Sequence, residues 1–142
     1  LLSVKEIFSF FEATPREPLL ASFNIVRLGI ISTGAENVPF IIASVNNAEV
    51  ASKELLIAEP GLLRMLYKPL GIDIANHAEE VGKEFSGEYM YNIPVRTLRY
   101  DTQEKGRNLL FFYARATDDI VVFTTKPEAL KAIYDNLIRQ QN

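Results

Sequence analysis

The chain has no cysteine among its 142 residues. Disulfide bonds, thiolate catalysis and metal sites built on cysteine are therefore excluded. The sequence also lacks any apolar run near the roughly 18 residues that a transmembrane helix needs. Residues 1–5 do not show the pattern of a signal peptide. We expect a soluble protein, either cytoplasmic or exported after removal of a signal, and the compartment stays open.

Histidine is almost absent, because His77 is the only one in the chain. A zinc site with several histidines cannot form within one chain, and a Ser-His-Asp triad would have to use this residue. Gly29 and Gly34 have the spacing of a phosphate-binding loop, but Ala35 and Glu36 follow where that loop needs lysine and a hydroxyl residue. We interpret this segment as a hairpin turn, and the sequence predicts no cofactor.

An excess of positive charge is also missing, since the formal net charge is −3. Nucleic-acid binders usually carry a basic excess, so no nucleic-acid partner is expected. Apolar residues make up 48% of the chain and charged residues 23%, as in ordinary globular proteins. The length predicts a single domain over residues 1–142, long enough to bury a substantial core.

Two capping boxes indicate helices near the ends of the chain. The first runs from Ser3 to Glu6, and the second from Thr125 to Glu128. Apolar residues at helical spacing follow each box: Val4, Ile7, Phe8 and Phe11 after the first, and Leu130, Ile133, Tyr134, Leu137 and Ile138 after the second. The same spacing predicts a central helix over residues 74–85.

Strand-like runs fill the rest of the chain. The first meander is predicted from residues 19–33 and 38–45, followed by Glu49–Ala58, which reads either as a third strand or as a short helix capped by Asn47. The second meander is predicted from residues 89–101, 108–117 and 119–125. Together these patterns predict an α+β fold. Its antiparallel sheet has five or six strands in two meanders, about 19–58 and 89–125, with N-terminal, central and C-terminal helices packed on it.

The element order resembles known folds in one of two ways. If Glu49–Ala58 is helical, the order α-ββ-α-βββ-α resembles roadblock or profilin-like domains. If this stretch is a strand, the order α-βββ-α-βββ-α is similar to secretion-chaperone-like folds. Either resemblance concerns the order of elements alone, so it implies a fold and no activity.

Several strands are apolar on both faces. Residues 109–113 and 120–123 do not alternate between apolar and polar side chains. A sheet with one face in water would show that alternation. We therefore expect the second face to be covered as well, either by helices or by a partner subunit.

Arginine and tyrosine are concentrated in the second meander. Arg99 or Arg115 could hold an anionic ligand through two parallel hydrogen bonds, with Tyr100 and Tyr113 beside them. Both residue types are also enriched at protein–protein interfaces. The simplest interpretation is that the arginines pair with acids on neighbouring strands and the tyrosines cover the sheet.

A weaker hypothesis concerns the predicted central helix. Asp73, His77 and Glu80 lie on one stripe of it and could hold a divalent metal ion. The simpler interpretation is the solvated flank of an acidic helix.

Three features favour a non-enzymatic binding or scaffolding domain: strands apolar on both faces, few reactive side chains, and the arginines and tyrosines of the second meander. It would act through contact with a protein partner or through homodimerisation. The first alternative is a small-molecule binding domain, with a pocket for an apolar or anionic ligand between sheet and helices. The second alternative is a metal-assisted enzyme that uses His77.

Overall fold

The computed structural model describes residues 17–73, 84–102 and 106–141. The elements are helix α1 (Glu17–Ser22), strands β1 (Phe23–Ser32) and β2 (Asn37–Val45), helix α2 (Ala48–Leu66), strands β3 (Ser86–Met90), β4 (Ile93–Thr102), β5 (Gly106–Thr117) and β6 (Ile120–Thr124), and helix α3 (Pro127–Gln141). The strands in these ranges form one six-stranded antiparallel sheet with the order β1-β2-β6-β5-β4-β3. This confirms the predicted α+β class. The predicted helix after Ser3 and residues 74–83 of the predicted central helix lie outside the described residues.

The first strand begins later than predicted, because residues 17–22 form helix α1. Pro18 lies in its first turn, where a missing backbone N–H costs nothing. Leu19 and Leu20 are buried, and the Ser22 hydroxyl donates to the Leu19 carbonyl at 2.6 Å. The prediction of strand for residues 19–22 was therefore wrong, since burial of two leucines against helix α2 decides their conformation.

Glu49–Ala58 is helical, as the second of the two alternatives predicted. The Asn47 side chain accepts hydrogen bonds from the backbone N–H groups of Glu49 and Val50, at 3.0 and 3.2 Å, and so caps helix α2. The helix then continues through Pro60, although Glu59-Pro60-Gly61 reads as a break. Leu55 and residues 62, 65 and 66 are buried along one side of it. The order with three strands in the first meander, which resembled secretion chaperones, is not found.

The sixth strand results from a turn that the sequence pattern does not predict. Residues 89–101 read as one strand, but a two-residue turn at Tyr91 and Asn92 divides them into β3 and β4. Both residues have positive φ angles, 53° and 65°, as in type I′ turns of tight hairpins. Asparagine tolerates this conformation better than most residues.

Helices cover the sheet on both faces. On one side, called here the α2 face, Ile41 and Phe111 pack with Leu55 and Leu62 of helix α2. On the other side, the α3 face, the buried residues are Val95, Phe112, Val122, Leu130 and Ile133, the last two from helix α3. The neighbours Phe111 and Phe112 are both fully buried and belong to different cores. Strands apolar on both faces are thus explained by helices of the chain itself.

Candidate interaction surface

The two ends of the described sheet differ in length and charge. Strand β1, at one end, has ten residues and only one charged side chain, that of Arg27. Strand β3, at the other end, has five residues and includes Glu88. An edge strand leaves alternate N–H and C=O groups unpaired on its outer side, and proteins usually protect it by shortness, charge, proline or a bulge. Strand β1 has a bulge only at its start, between Phe23 and Ile25.

Strand β1 also exposes apolar side chains on both faces of the sheet. Ile25, Leu28 and Ile30 are 44%, 47% and 71% exposed. Leu28 lies opposite Ile41 in the register, and Ile30 is two residues further along the same strand, so both lie on the α2 face. Ile25 is an odd number of positions away from Leu28, so its side chain lies on the opposite side of the sheet. There it lines a groove on the α3 face. An added strand would therefore find apolar contacts on either side.

The groove lies between strands β1, β2 and β6 and helix α3 and has a volume of about 490 Å³. Its apolar wall includes Ile31, Phe40 and Leu137. The ring of Phe40 extends over Gly29, because a Cβ atom at that glycine would lie 2.5 Å from the ring's Cζ atom. A larger residue at position 29 would thus have to displace the ring. The groove opens directly beside the outer strand.

The predicted ligand-binding residues are divided between the two faces. Tyr100 and Tyr113 pack with the core of the α2 face. Arg99 pairs in the register with Leu109, which packs with the core of the α3 face. Arg115 is exposed, and its guanidinium lies 3.5 Å from Asp118. Arg99 and Tyr100 line one surface pocket, and Tyr113 and Arg115 line another. The four residues do not share one site, and ligand binding by them stays a prediction.

One network that sequence reasoning missed ties helix α2 to the sheet. The carboxylate of Glu59, whose side chain is 10% exposed, accepts from Nε and Nη2 of Arg96 at 2.8 and 2.9 Å. It also accepts from the Tyr113 hydroxyl at 2.5 Å. Burial and the hydrogen bond to Glu59 raise the pKa of Tyr113, so this phenol remains a donor at neutral pH. Glu59, Arg96 and Tyr113 bind one another, which indicates a structural role.

A second ion pair joins strands β3 and β4. Arg99 donates from Nε and Nη2 to the Glu88 carboxylate at 2.8 and 2.7 Å. The Thr97 hydroxyl donates to the same carboxylate. The hydrogen bonds from Arg99, with a further contribution from Thr97, lower the pKa of Glu88 from 4.5 to about 2.

This lowered pKa predicts a pH-dependent contribution to stability. A carboxylate whose pKa is lower in the folded than in the unfolded state stabilises the fold above its ordinary pKa and loses that effect as the pH falls through the folded value. We expect Glu88→Gln to be less stable than the unchanged chain at pH 7, with a difference that narrows between about pH 4.5 and pH 2. Urea unfolding at several pH values in this range measures the difference in the free energy of unfolding between the two proteins. The stability difference between Arg99→Gln and the unchanged chain should narrow over the same pH range. If the difference for Glu88→Gln did not change with pH, it would contradict the lowered pKa of Glu88.

The metal hypothesis falls mostly on residues that the structure leaves undescribed. Asp73 is exposed at the end of the first described range. His77 and Glu80 lie outside the described residues, so the metal site stays a prediction. Within residues 17–73, 84–102 and 106–141, no group of three or more potential ligands of the His, Cys, Asp and Glu types is found.

Comparisons with protein families and with curated proteins give no match that would assign a function to this surface. The sequence matches no protein-family model, and no curated protein matches it either. No helix in the described ranges combines the length and the apolar character needed to cross a membrane.

Proposed function

We propose that this protein is a non-enzymatic binding domain that accepts a strand of a partner polypeptide along the outer edge of β1. The observation that carries the proposal is the edge itself: ten residues, one charge, and exposed Ile25, Leu28 and Ile30. In recognition by strand addition, backbone hydrogen bonds give affinity and alternate side chains give specificity. Strand β1 supplies an outer edge, which no other strand of the described residues pairs with, and apolar contacts on two faces.

Apolar burial at this edge adds to the backbone hydrogen bonds of an added strand. Full burial of an aliphatic side chain contributes about 1.5–3 kcal/mol. Ile25, Leu28 and Ile30 retain roughly half of their surface, so covering all three contributes about 3 kcal/mol. The groove beside Phe40 offers further apolar surface for a side chain of the incoming strand.

The alternative of an anionic small-molecule ligand has less support from the described residues. Arg99 is engaged by Glu88 through two hydrogen bonds. The Tyr113 hydroxyl donates to Glu59. Of the predicted set, Arg115 has the weakest contact, to Asp118 at 3.5 Å, so it is the one candidate in that set to anchor an anion. The enzyme alternative rests on His77, which lies outside the described residues.

Selection from a random peptide library tests strand acceptance whatever the natural partner is. Peptides of about ten residues, the length of β1, are displayed against the purified protein at nanomolar concentration. We expect extended peptides with apolar residues at alternate positions to be enriched, because this pattern suits an added strand. Their binding should be lost in Leu28→Lys, which places a charge on the edge.

Ile57→Lys is the matched control, since Ile57 is 45% exposed on helix α2 and Leu28 is 47% exposed on β1. Peptides that bind the wild type and Ile57→Lys alike, but not Leu28→Lys, support the proposal. Peptides that bind both variants equally, or no enrichment at all, would overturn it.

A further inference from the structure

We infer that strand β1 pairs with β1 of a second copy of this chain, antiparallel and centred on Leu28, so that the two sheets continue into one. This inference rests on the proposed function of the β1 edge and names the partner. Its basis is the sequence of β1. When a second copy of this strand is placed antiparallel beside the first by a two-fold axis, apolar residues lie opposite apolar residues. The strand pairs regularly with β2 from Ile25 to Ser32, and Leu28 lies at the centre of residues 25–31.

On the α2 face this pairing makes a continuous apolar row. Leu28 of one copy lies opposite Leu28 of the other, and Val26 lies opposite Ile30 on each side of the axis. Residues directly opposite in an antiparallel pair have Cβ atoms about 4.5–5.5 Å apart, close enough for direct contact. Leu28 and Ile30 are exposed in the single chain, so the pairing removes apolar surface from water.

On the α3 face the same register does not place the two Arg27 side chains directly opposite each other. Arg27 lies opposite Gly29 of the other copy, and Ile25 lies opposite Ile31. A pairing centred on Arg27 would instead place two arginines opposite each other, and like charges in that position are destabilising. In the Leu28 register the two Arg27 side chains are diagonal neighbours rather than directly opposite, and residues 25–31 all find a partner.

Gly29 and Phe40 give the charged residue a place in the pair. The Phe40 ring already extends over Gly29 within one copy. Arg27 of the other copy would lie opposite this glycine on the same face, beside the ring that fills the Cβ position. A guanidinium within about 6 Å of a ring centroid is attracted to the aromatic face. Arg27, the one charge on the edge, therefore favours pairing in this register.

Cysteine cross-linking tests the inference directly, because the natural chain has no cysteine. In Leu28→Cys the two new thiols face each other across the axis. Opposite residues in antiparallel strands have Cα atoms about 4.5–5.5 Å apart, within the range of about 4.4–6.8 Å that a disulfide requires. Mild oxidation at micromolar concentration should convert most of this variant into a covalent dimer.

Two further samples test whether cross-linking is specific to β1 and whether the two strands pair in the inferred register. Ile57→Cys carries an equally exposed cysteine on helix α2 and should stay largely monomeric under the same oxidation. A mixture of Ile25→Cys and Ile31→Cys should form the mixed dimer, whereas neither variant alone should cross-link efficiently. Sedimentation of the unmodified chain should show a reversible dimer.

The outcomes separate this inference from the proposed function. A monomeric chain, or a dimer that Leu28→Cys does not cross-link, overturns self-pairing. If the selected peptides nevertheless bind in a manner that depends on Leu28, strand acceptance stands and the partner is a different polypeptide. If neither cross-linking nor such peptide binding occurs, both proposals fail.

Discussion

Replacing Phe111 with alanine is expected to lower the free energy of unfolding by about 3–5 kcal/mol, and Phe112→Ala by a similar amount. Both side chains are fully buried. Phe111 packs in the core of the α2 face, whereas Phe112 packs in the core of the α3 face. In a sheet with one face in water, two adjacent residues could not both have this effect.

Urea unfolding of the two variants measures the prediction. Tyr89→Ala is a suitable control because Tyr89 is 77% exposed on strand β3, and surface substitutions usually change stability by less than about 0.5 kcal/mol. A loss below about 1 kcal/mol for Phe112→Ala would be too small for a filled core. It would contradict packing of helix α3 on that face.

Leu28→Lys is expected to weaken self-association about 100-fold, equivalent to about 2.7 kcal/mol. The substitution acts twice in a two-fold dimer, because each copy contributes its residue to the same contact. It removes the apolar pair at the axis and places two ammonium groups opposite each other, which is destabilising. The fold of the single chain should be unaffected, since Leu28 is half exposed there.

Sedimentation velocity over a concentration series determines the dissociation constant. Ile57→Lys adds the same charge at a comparably exposed position on helix α2 and should leave this constant unchanged. Equal dissociation constants for Leu28→Lys and the wild type would exclude β1 from the interface.

The sequence predicts the sheet better than it predicts the helices. Strands β2, β5 and β6 lie within two residues of their predicted bounds, because long apolar runs bounded by turn residues indicate strands. Helix α2 crosses Pro60 and Gly61, which are usually found where helices end. Burial of its leucines against the sheet outweighs that local preference, and such packing is not visible in a local pattern.

The sequence also does not predict which residues contact the candidate site residues. Glu59 and Tyr113 are 54 positions apart along the chain, yet they share a hydrogen bond. The predicted pairing of arginines with acids on neighbouring strands is confirmed for Arg99 and Glu88. That β1 lies at the edge depends on the strand order, in which β6 joins β2 to the second meander. Local periodicity specifies a strand's faces and leaves its neighbours open.

The central claim is that the outer edge of β1 is the surface on which this protein binds a second strand. Hydrogen exchange of the backbone amides at increasing protein concentration tests it most directly. We expect the alternate, outward-facing amides of residues 25–31 in β1 to become more protected as the concentration rises, while the amides of residues 86–90 in β3 do not change. Exchange in β1 that is independent of concentration, together with no protection by a selected peptide, would contradict it.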